Sequence, residues 1–221
     1  MISNSGINIL KHFVYDGCAV KIADVTPLEA KGALDDALPL LSEHRREKTL
    51  RYRFERGKML SAGAGLLLDN LLCERGLREA DMQYVVGEHG KPAFADYPDL
   101  HFSLSHSGML VACAIGDVPL GVDVQTLVTP HDSLVNYTMN EAEISRLSSL
   151  ATNEDKALYF TQLWTLKESY VKATGLGLGH SFPAFEIVDG NVNPLTVLDP
   201  PARFHTVALD AAAAAVAILC Q

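Results

Sequence analysis

The chain has 221 residues, 48% hydrophobic and 20% charged, which is enough to bury one large core or two small ones and too apolar for a disordered segment. A net charge of −9 argues against a general nucleic-acid binder, and the longest apolar run, Ala211 to Cys220, is too short to span a bilayer. Met1 to Lys11 shows no charged region followed by an apolar one, and Cys18, Cys73, Cys113 and Cys220 form no CxxC pair, so a cytoplasmic protein with free thiols is expected.

In chain order, Val14 to Ile22 reads as a first strand. Thr26-Pro27-Leu28-Glu29 predicts a helix start, with Thr26 as N-cap and Pro27 at the first helical position, and a helix to about Leu38. A second helix is expected from near Ser42. Lys58 to Glu74 predicts a long apolar helix, in which Gly63 and Gly65 cost roughly 1 kcal/mol each relative to alanine, so close packing is the expected reason for them. Tyr84 to Val86 reads as a short strand and Glu88-His89-Gly90-Lys91-Pro92 as a turn. His101 to Leu104, Val111 to Ile115 and Leu120 to Gln125 are three further strands, with a break at Gly116 to Pro119. Asn140 caps a helix to about Leu150, with Glu143 three positions on. Asp155 to Thr174 predicts the central helix, stopped by Gly175. Strands are expected at Phe185 to Val188, Leu195 to Leu198, Phe204 to Leu209 and Val216 to Cys220, although the alanines from Ala211 to Ala215 favour helix by propensity.

The charge is uneven. His44 to Lys58 holds Arg45, Arg46, Lys48, Arg51, Arg53, Arg56 and Lys58 against only Glu47 and Glu55, a net +5 on a remainder of −14. Such a patch suits a small polyanion such as a nucleotide phosphate, or a solvated helix face. Gly121-Val122-Asp123-Val124-Gln125 alternates with period two, so Asp123 and Gln125 share one face; a carboxylate and an amide oxygen at adjacent outward positions can ligate a hard cation such as Mg²⁺. Trp164-Thr-Leu-Lys-Glu-Ser-Tyr-Val-Lys172 puts Trp164, Glu168 and Lys172 one above the other on a helix, beside Leu163, Leu166 and Tyr170. Glu168 could supply a second metal carboxylate or make an ordinary solvated pair with Lys172. Ser105-His106-Ser107 lacks the GxSxG context of a hydrolase and suits phosphate oxygens better than nucleophilic catalysis. Gly175 to Gly179 follows a helix where a phosphate-binding glycine loop would precede one.

Taken in order, His89-Gly90-Lys91-Pro92, Phe102 to Ser107, Gly121 to Gln125 and Trp164 to Lys172 ending in Gly175-Leu176-Gly177 resemble the 4'-phosphopantetheinyl transferase superfamily. Length and the preceding basic helix resemble its surfactin-synthetase-activating type. Each motif is weak alone, whereas four in this order are specific. The resemblance implies an α+β fold, a pseudo-dimer of two similar α/β halves, each a small antiparallel sheet packed with a long helix. The halves would be residues 1–117 and 118–221, with the active site at their interface and the protein a monomer. It implies Mg²⁺-dependent transfer of the phosphopantetheine arm of coenzyme A to a serine of an apo acyl or peptidyl carrier protein, releasing adenosine 3',5'-bisphosphate, in fatty acid, polyketide or nonribosomal peptide biosynthesis.

Residue by residue, Asp123 and Glu168 resemble the metal carboxylates, with Gln125 where many relatives have Glu. Lys172 and His106 resemble pyrophosphate contacts, and the base expected for the carrier serine is Glu168 or a water held by the metal. Lys91, Pro92 and Ser105 resemble the adenosine-side wall, and Arg45, Lys48 and Lys58 the 3'-phosphate contacts. The region from Gly175 to Phe204 corresponds to the carrier-docking face. A non-catalytic, regulatory coenzyme A-binding relative is the alternative.

Overall fold

The structure, a computed structural model, describes residues 6–87, 90–175, 177, 181–188, 191–194 and 200–220. Chain contacts divide it into two compact units, Met1–Val118 and Pro119–Gln221. No helix among the described residues is long and apolar enough to cross a membrane.

The first unit opens with a hairpin of β1 (Asn8–Tyr15) and β2 (Cys18–Asp24). Asp16 and Gly17 turn it at φ 50° and 79°, the left-handed pair that matches strand twist in a two-residue loop. The single strand expected from Val14 to Ile22 therefore straddles a turn. The helix expected from Thr26 to Leu38 is also divided. A 3-10 turn at Thr26–Glu29 and a five-residue α1 (Ala33–Ala37) flank Gly32 at φ 85°, a backbone state that ends helical continuity. Thr26 is not the cap; its N–H and hydroxyl donate to Asp24 Oδ1.

Next come α2 (Glu43–Leu50), capped by Ser42, and α3 (Glu55–Cys73). The hairpin of β3 (Tyr84–Val86) and β4 (Pro92–Phe94) follows, then β5 (His101–Ser107) and β6 (Leu110–Gly116). The main sheet runs β1-β2-β6-β5, antiparallel throughout. Leu67, Leu68, Leu71 and Leu72 of α3 bury against Val25, Phe102, Cys113 and Ile115. The helix glycines allow this closeness, as a Cβ on Gly63 would lie 2.2 Å from Val25 Cγ1 and one on Gly65 2.9 Å from Arg45 Cγ.

The second unit comprises β7 (Leu120–Thr126), α4 (Asp132–Thr138), α5 (Glu141–Ser149), α6 (Asn153–Thr174), β8 (Phe185–Val188), β9 (Asn191–Pro194), β10 (Ala202–Leu209) and β11 (Ala212–Leu219). Its sheet runs β7-β11-β10-β9-β8. Asn140 and Glu143 form the expected capping box on α5, and Gly175 at φ 73° ends α6. The alanine run is strand: Ala212 to Ala217 is buried in β11, between β7 and β10. Tertiary pairing overrides propensity here, and the small side chains let α6 lie on β7 and β11. The strand expected at Leu195 to Leu198 lies outside the described residues. Each unit is thus a small antiparallel sheet carrying one long helix, as expected.

Candidate active site

The second unit holds the densest chemistry. On β7, Gly121, Asp123 and Gln125 share one face, and α6 crosses that face at Gly121. A Cβ there would lie 2.0 Å from Ser169 O and 2.5 Å from Ala173 N, so only glycine lets the helix backbone down to the strand. This corrects the outward placement expected for Asp123 and Gln125. Asp123 is 5% exposed, beneath the helix, and Gln125 is half-buried.

The same crossing brings Glu168 and Lys172, one turn apart, to Asp123. Lys172 Nζ donates to Asp123 Oδ1 at 2.6 Å and to Val122 O at 3.2 Å. Burial raises the Glu168 carboxyl above its ordinary value, the Asp123 charge raises it further, and Lys172 opposes both. Two carboxylates close enough to repel and a neighbouring amide oxygen form a hard-oxygen donor set of the kind that suits Mg²⁺, with one ammonium beside it. Among the described residues no group of three or more His, Cys, Asp or Glu side chains is gathered for a metal, so any further ligands would be the Gln125 amide, water or substrate oxygens.

Gly121→Ala is expected to push α6 off β7 and destabilise the unit by about 1–3 kcal/mol or more. Urea unfolding followed by Trp164, the single tryptophan, measures this. A wild-type midpoint would contradict the close crossing.

Lys167 was missed by sequence reasoning, although it lies on the apolar stripe of Leu163, Tyr170 and Val171, where a lysine signals a buried partner. It is fully buried. Its ammonium donates to Glu143 Oε2 at 2.6 Å, Phe182 O at 2.9 Å and Thr138 O at 3.0 Å, and lies 5.2 Å from the Phe185 ring centre. Adjacent helical residues point about 100° apart, so Lys167 ties α6 to α4, α5 and the Phe182 segment while Glu168 faces β7. Trp164 belongs to the same packing, tilted against Phe160 and stacked on Phe182.

In the first unit, the candidates lie on α2, α3, β5 and the β3–β4 hairpin. Lys48 is exposed on α2. Lys58 pairs with Glu55 at 2.6 Å. Arg45 is buried, with its guanidinium 5.7 Å over the Tyr84 ring and Nε 3.8 Å from Glu79 Oε1. Lys91 is half-buried, which pulls its ammonium down to about 8, and Pro92 opens β4. Ser105 and His106 lie within edge strand β5, which runs on to Ser107, rather than after a strand. Strand alternation puts them on opposite faces, Ser105 buried and His106 exposed. Glu88, His89, Leu176 and residues 178–180 lie outside the described residues.

Residues 119–218 match the 4'-phosphopantetheinyl transferase superfamily. The chain is 32% identical over 161 residues to 4'-phosphopantetheinyl transferase Sfp of Bacillus subtilis strain 168, covering 71% of each chain. It is 31% identical over 171 residues to another Bacillus subtilis 4'-phosphopantetheinyl transferase, covering 76% of this chain and 75% of that one. Holo-[acyl-carrier-protein] synthase of Thermotoga maritima, a solved structure, is similar over 46% of this chain and 62% of its own, at 22% identity and a TM-score of 0.35.

Proposed function

The chain belongs to the 4'-phosphopantetheinyl transferase superfamily, and from that premise we propose that it transfers the phosphopantetheine arm of coenzyme A to a serine of an apo carrier protein. The observation that carries the reading is the Asp123, Glu168 and Lys172 cluster at the β7 and α6 crossing. The serine oxygen bonds to the phosphorus that bears pantetheine. The bond from that phosphorus to the bridging pyrophosphate oxygen breaks, and adenosine 3',5'-bisphosphate leaves with that oxygen.

Asp123, Glu168 and the Gln125 amide would hold Mg²⁺, which when bound supplies positive charge to the pyrophosphate oxygens. Lys172 supplies an ammonium to the same oxygens, the positioning and charge stabilisation on which phosphoryl transfer depends. Glu168, beside Asp123 and Lys172, is the carboxylate placed to take the serine proton. Lys91, Pro92 and Ser105 serve the adenosine, His106 the pyrophosphate, and Arg45, Lys48 and Lys58 the 3'-phosphate. The stretch from Gly175 to Phe204 serves carrier docking. The four cysteines are free thiols, which supports a cytoplasmic compartment, and we read the protein as a monomer. A non-catalytic coenzyme A binder would not need both carboxylates and Lys172 together.

The test is intact mass of a panel of apo carrier proteins incubated with the protein, coenzyme A and Mg²⁺. A gain of one phosphopantetheine, abolished by chelator, is expected. Coenzyme A binding without mass gain on any carrier would favour the non-catalytic reading.

Gln125 offers a finer test. An amide oxygen adds no charge and ligates Mg²⁺ more weakly than a carboxylate. Gln125→Glu is therefore expected to lower the Mg²⁺ concentration for half-maximal rate, and an unchanged value would remove Gln125 from the metal's ligands.

A further inference from the structure

In the first unit, a fully buried carboxylate has no part in the chemistry above. Glu79 is 0% exposed, in a 3-10 turn between α3 and β3. It accepts hydrogen bonds from Ser42 N at 2.6 Å, Ser42 Oγ at 2.8 Å and Tyr84 Oη at 2.5 Å. It is held from behind, since its own N–H donates to Asp69 Oδ1 at 2.8 Å and Asp69 takes a two-pronged contact from Arg78. Ser42 Oγ in turn accepts from Arg45 N as the cap of α2. Glu79 therefore fixes the first turn of the basic helix to α3 and to β3.

Arg45 is the residue this framework surrounds. Gly65 leaves room for its stem. Tyr84 lies under its guanidinium at 5.7 Å, and the His44 ring stacks on Tyr84 at 4.8 Å. Glu79 Oε1 approaches Nε only to 3.8 Å, and Nε, although buried, has no hydrogen-bond partner among the described residues. A buried cation short of a hydrogen bond costs stability. The surrounding groups set its direction and leave that one donor unsatisfied, a position suited to an anionic ligand.

We propose that Glu79 is a positioning residue that holds Arg45 and the first turn of α2 for the 3'-phosphate of coenzyme A, and so sets the preference for coenzyme A over dephospho-coenzyme A. This rests on the transferase reading above. Glu79 acts through geometry, because three donors already meet its charge, two of them at Oε1, the oxygen nearest Arg45.

The experiment is calorimetric titration of the full chain with coenzyme A and with dephospho-coenzyme A, for wild type, Glu79→Gln and Tyr84→Phe, with circular dichroism to check folding. Wild type is expected to bind coenzyme A at least tenfold tighter. Glu79→Gln should cut that ratio at least fivefold and leave dephospho-coenzyme A binding within about twofold. Tyr84→Phe keeps the ring under Arg45 and loses one hydrogen bond to Glu79; it should cut the ratio at least threefold, which keeps the test decisive if Glu79→Gln fails to fold. Equal weakening of both ligands would make Glu79 a general structural residue and overturn the inference, as would an unchanged ratio in Tyr84→Phe. A larger ratio in Glu79→Gln would mean that Glu79 only subtracts charge, and would overturn it too. Wild type binding neither ligand would instead defeat the transferase reading itself.

Discussion

Replacing Glu168 by glutamine is expected to slow phosphopantetheinyl transfer by about 10²–10⁴-fold, the range for losing a positioned base, with the fold unchanged. The substitution keeps shape and removes the carboxylate that faces Asp123. Its effect on stability should run the other way. The folded carboxyl lies above its ordinary value because of burial and Asp123, so its contribution to stability is present at low pH and lost as pH rises through the folded value. At pH 8, in chelator, wild type bears that cost in full and Glu168→Gln does not, so the variant should melt no lower than wild type. Single-turnover mass spectrometry at saturating donor, carrier and Mg²⁺ measures the rate. Wild-type turnover would remove Glu168 from the reaction. A slow, destabilised variant would assign it a structural role.

The second large effect lies on a different face of the same helix. Glu143→Ala leaves the Lys167 ammonium buried with only two carbonyl oxygens, Thr138 and Phe182. Breaking one partner of a buried pair costs about 3–5 kcal/mol, and Glu143 also closes the capping box on α5. Lys167→Met with Glu143→Leu should cost less than Glu143→Ala alone, because no unpaired charge remains. Urea unfolding followed by Trp164 checks both, as Trp164 packs on Phe160 and Phe182 in the same unit. A cost under about 1 kcal/mol for Glu143→Ala would mean that the ammonium finds another partner or deprotonates, the direction in which burial already pushes it.

The features legible in the sequence were those with local causes. Asn140 and Glu143 announced a capping box, Gly175 a helix end, and the α6 stripe a long helix. The motif order was specific enough to identify the family. What escaped had either an overlooked local signal or a non-local cause. Asp16-Gly17 is a hairpin signal inside an alternating run. Gly32 broke a helix that Pro27 had started. The alanines of β11 take their conformation from strands at both sides, which no window of sequence contains. Asp123 was expected to face outward because alternation separates two faces and does not say which one a helix will cover. Gly121 was the clue, a glycine in a strand where another backbone comes close.

The place of β11 also bears on how the second unit is made. Its register joins Ala212 to Thr126 and Ile218 to Leu120, so the strand bearing Asp123 pairs with the last strand of the described chain, far from it in sequence. Such distant pairing must close a long loop before any contact rewards it. Meanwhile an unpaired alanine run inclines towards helix, a local preference at odds with the final fold. During synthesis Glu168 and Lys172 emerge well before the strand that completes the sheet under them. Asp123, Glu168 and Lys172 therefore reach their final setting late, once the sheet has closed. Substitutions in β11 that favour strand, such as valine for an alanine facing away from α6, should shorten that delay without touching a catalytic group.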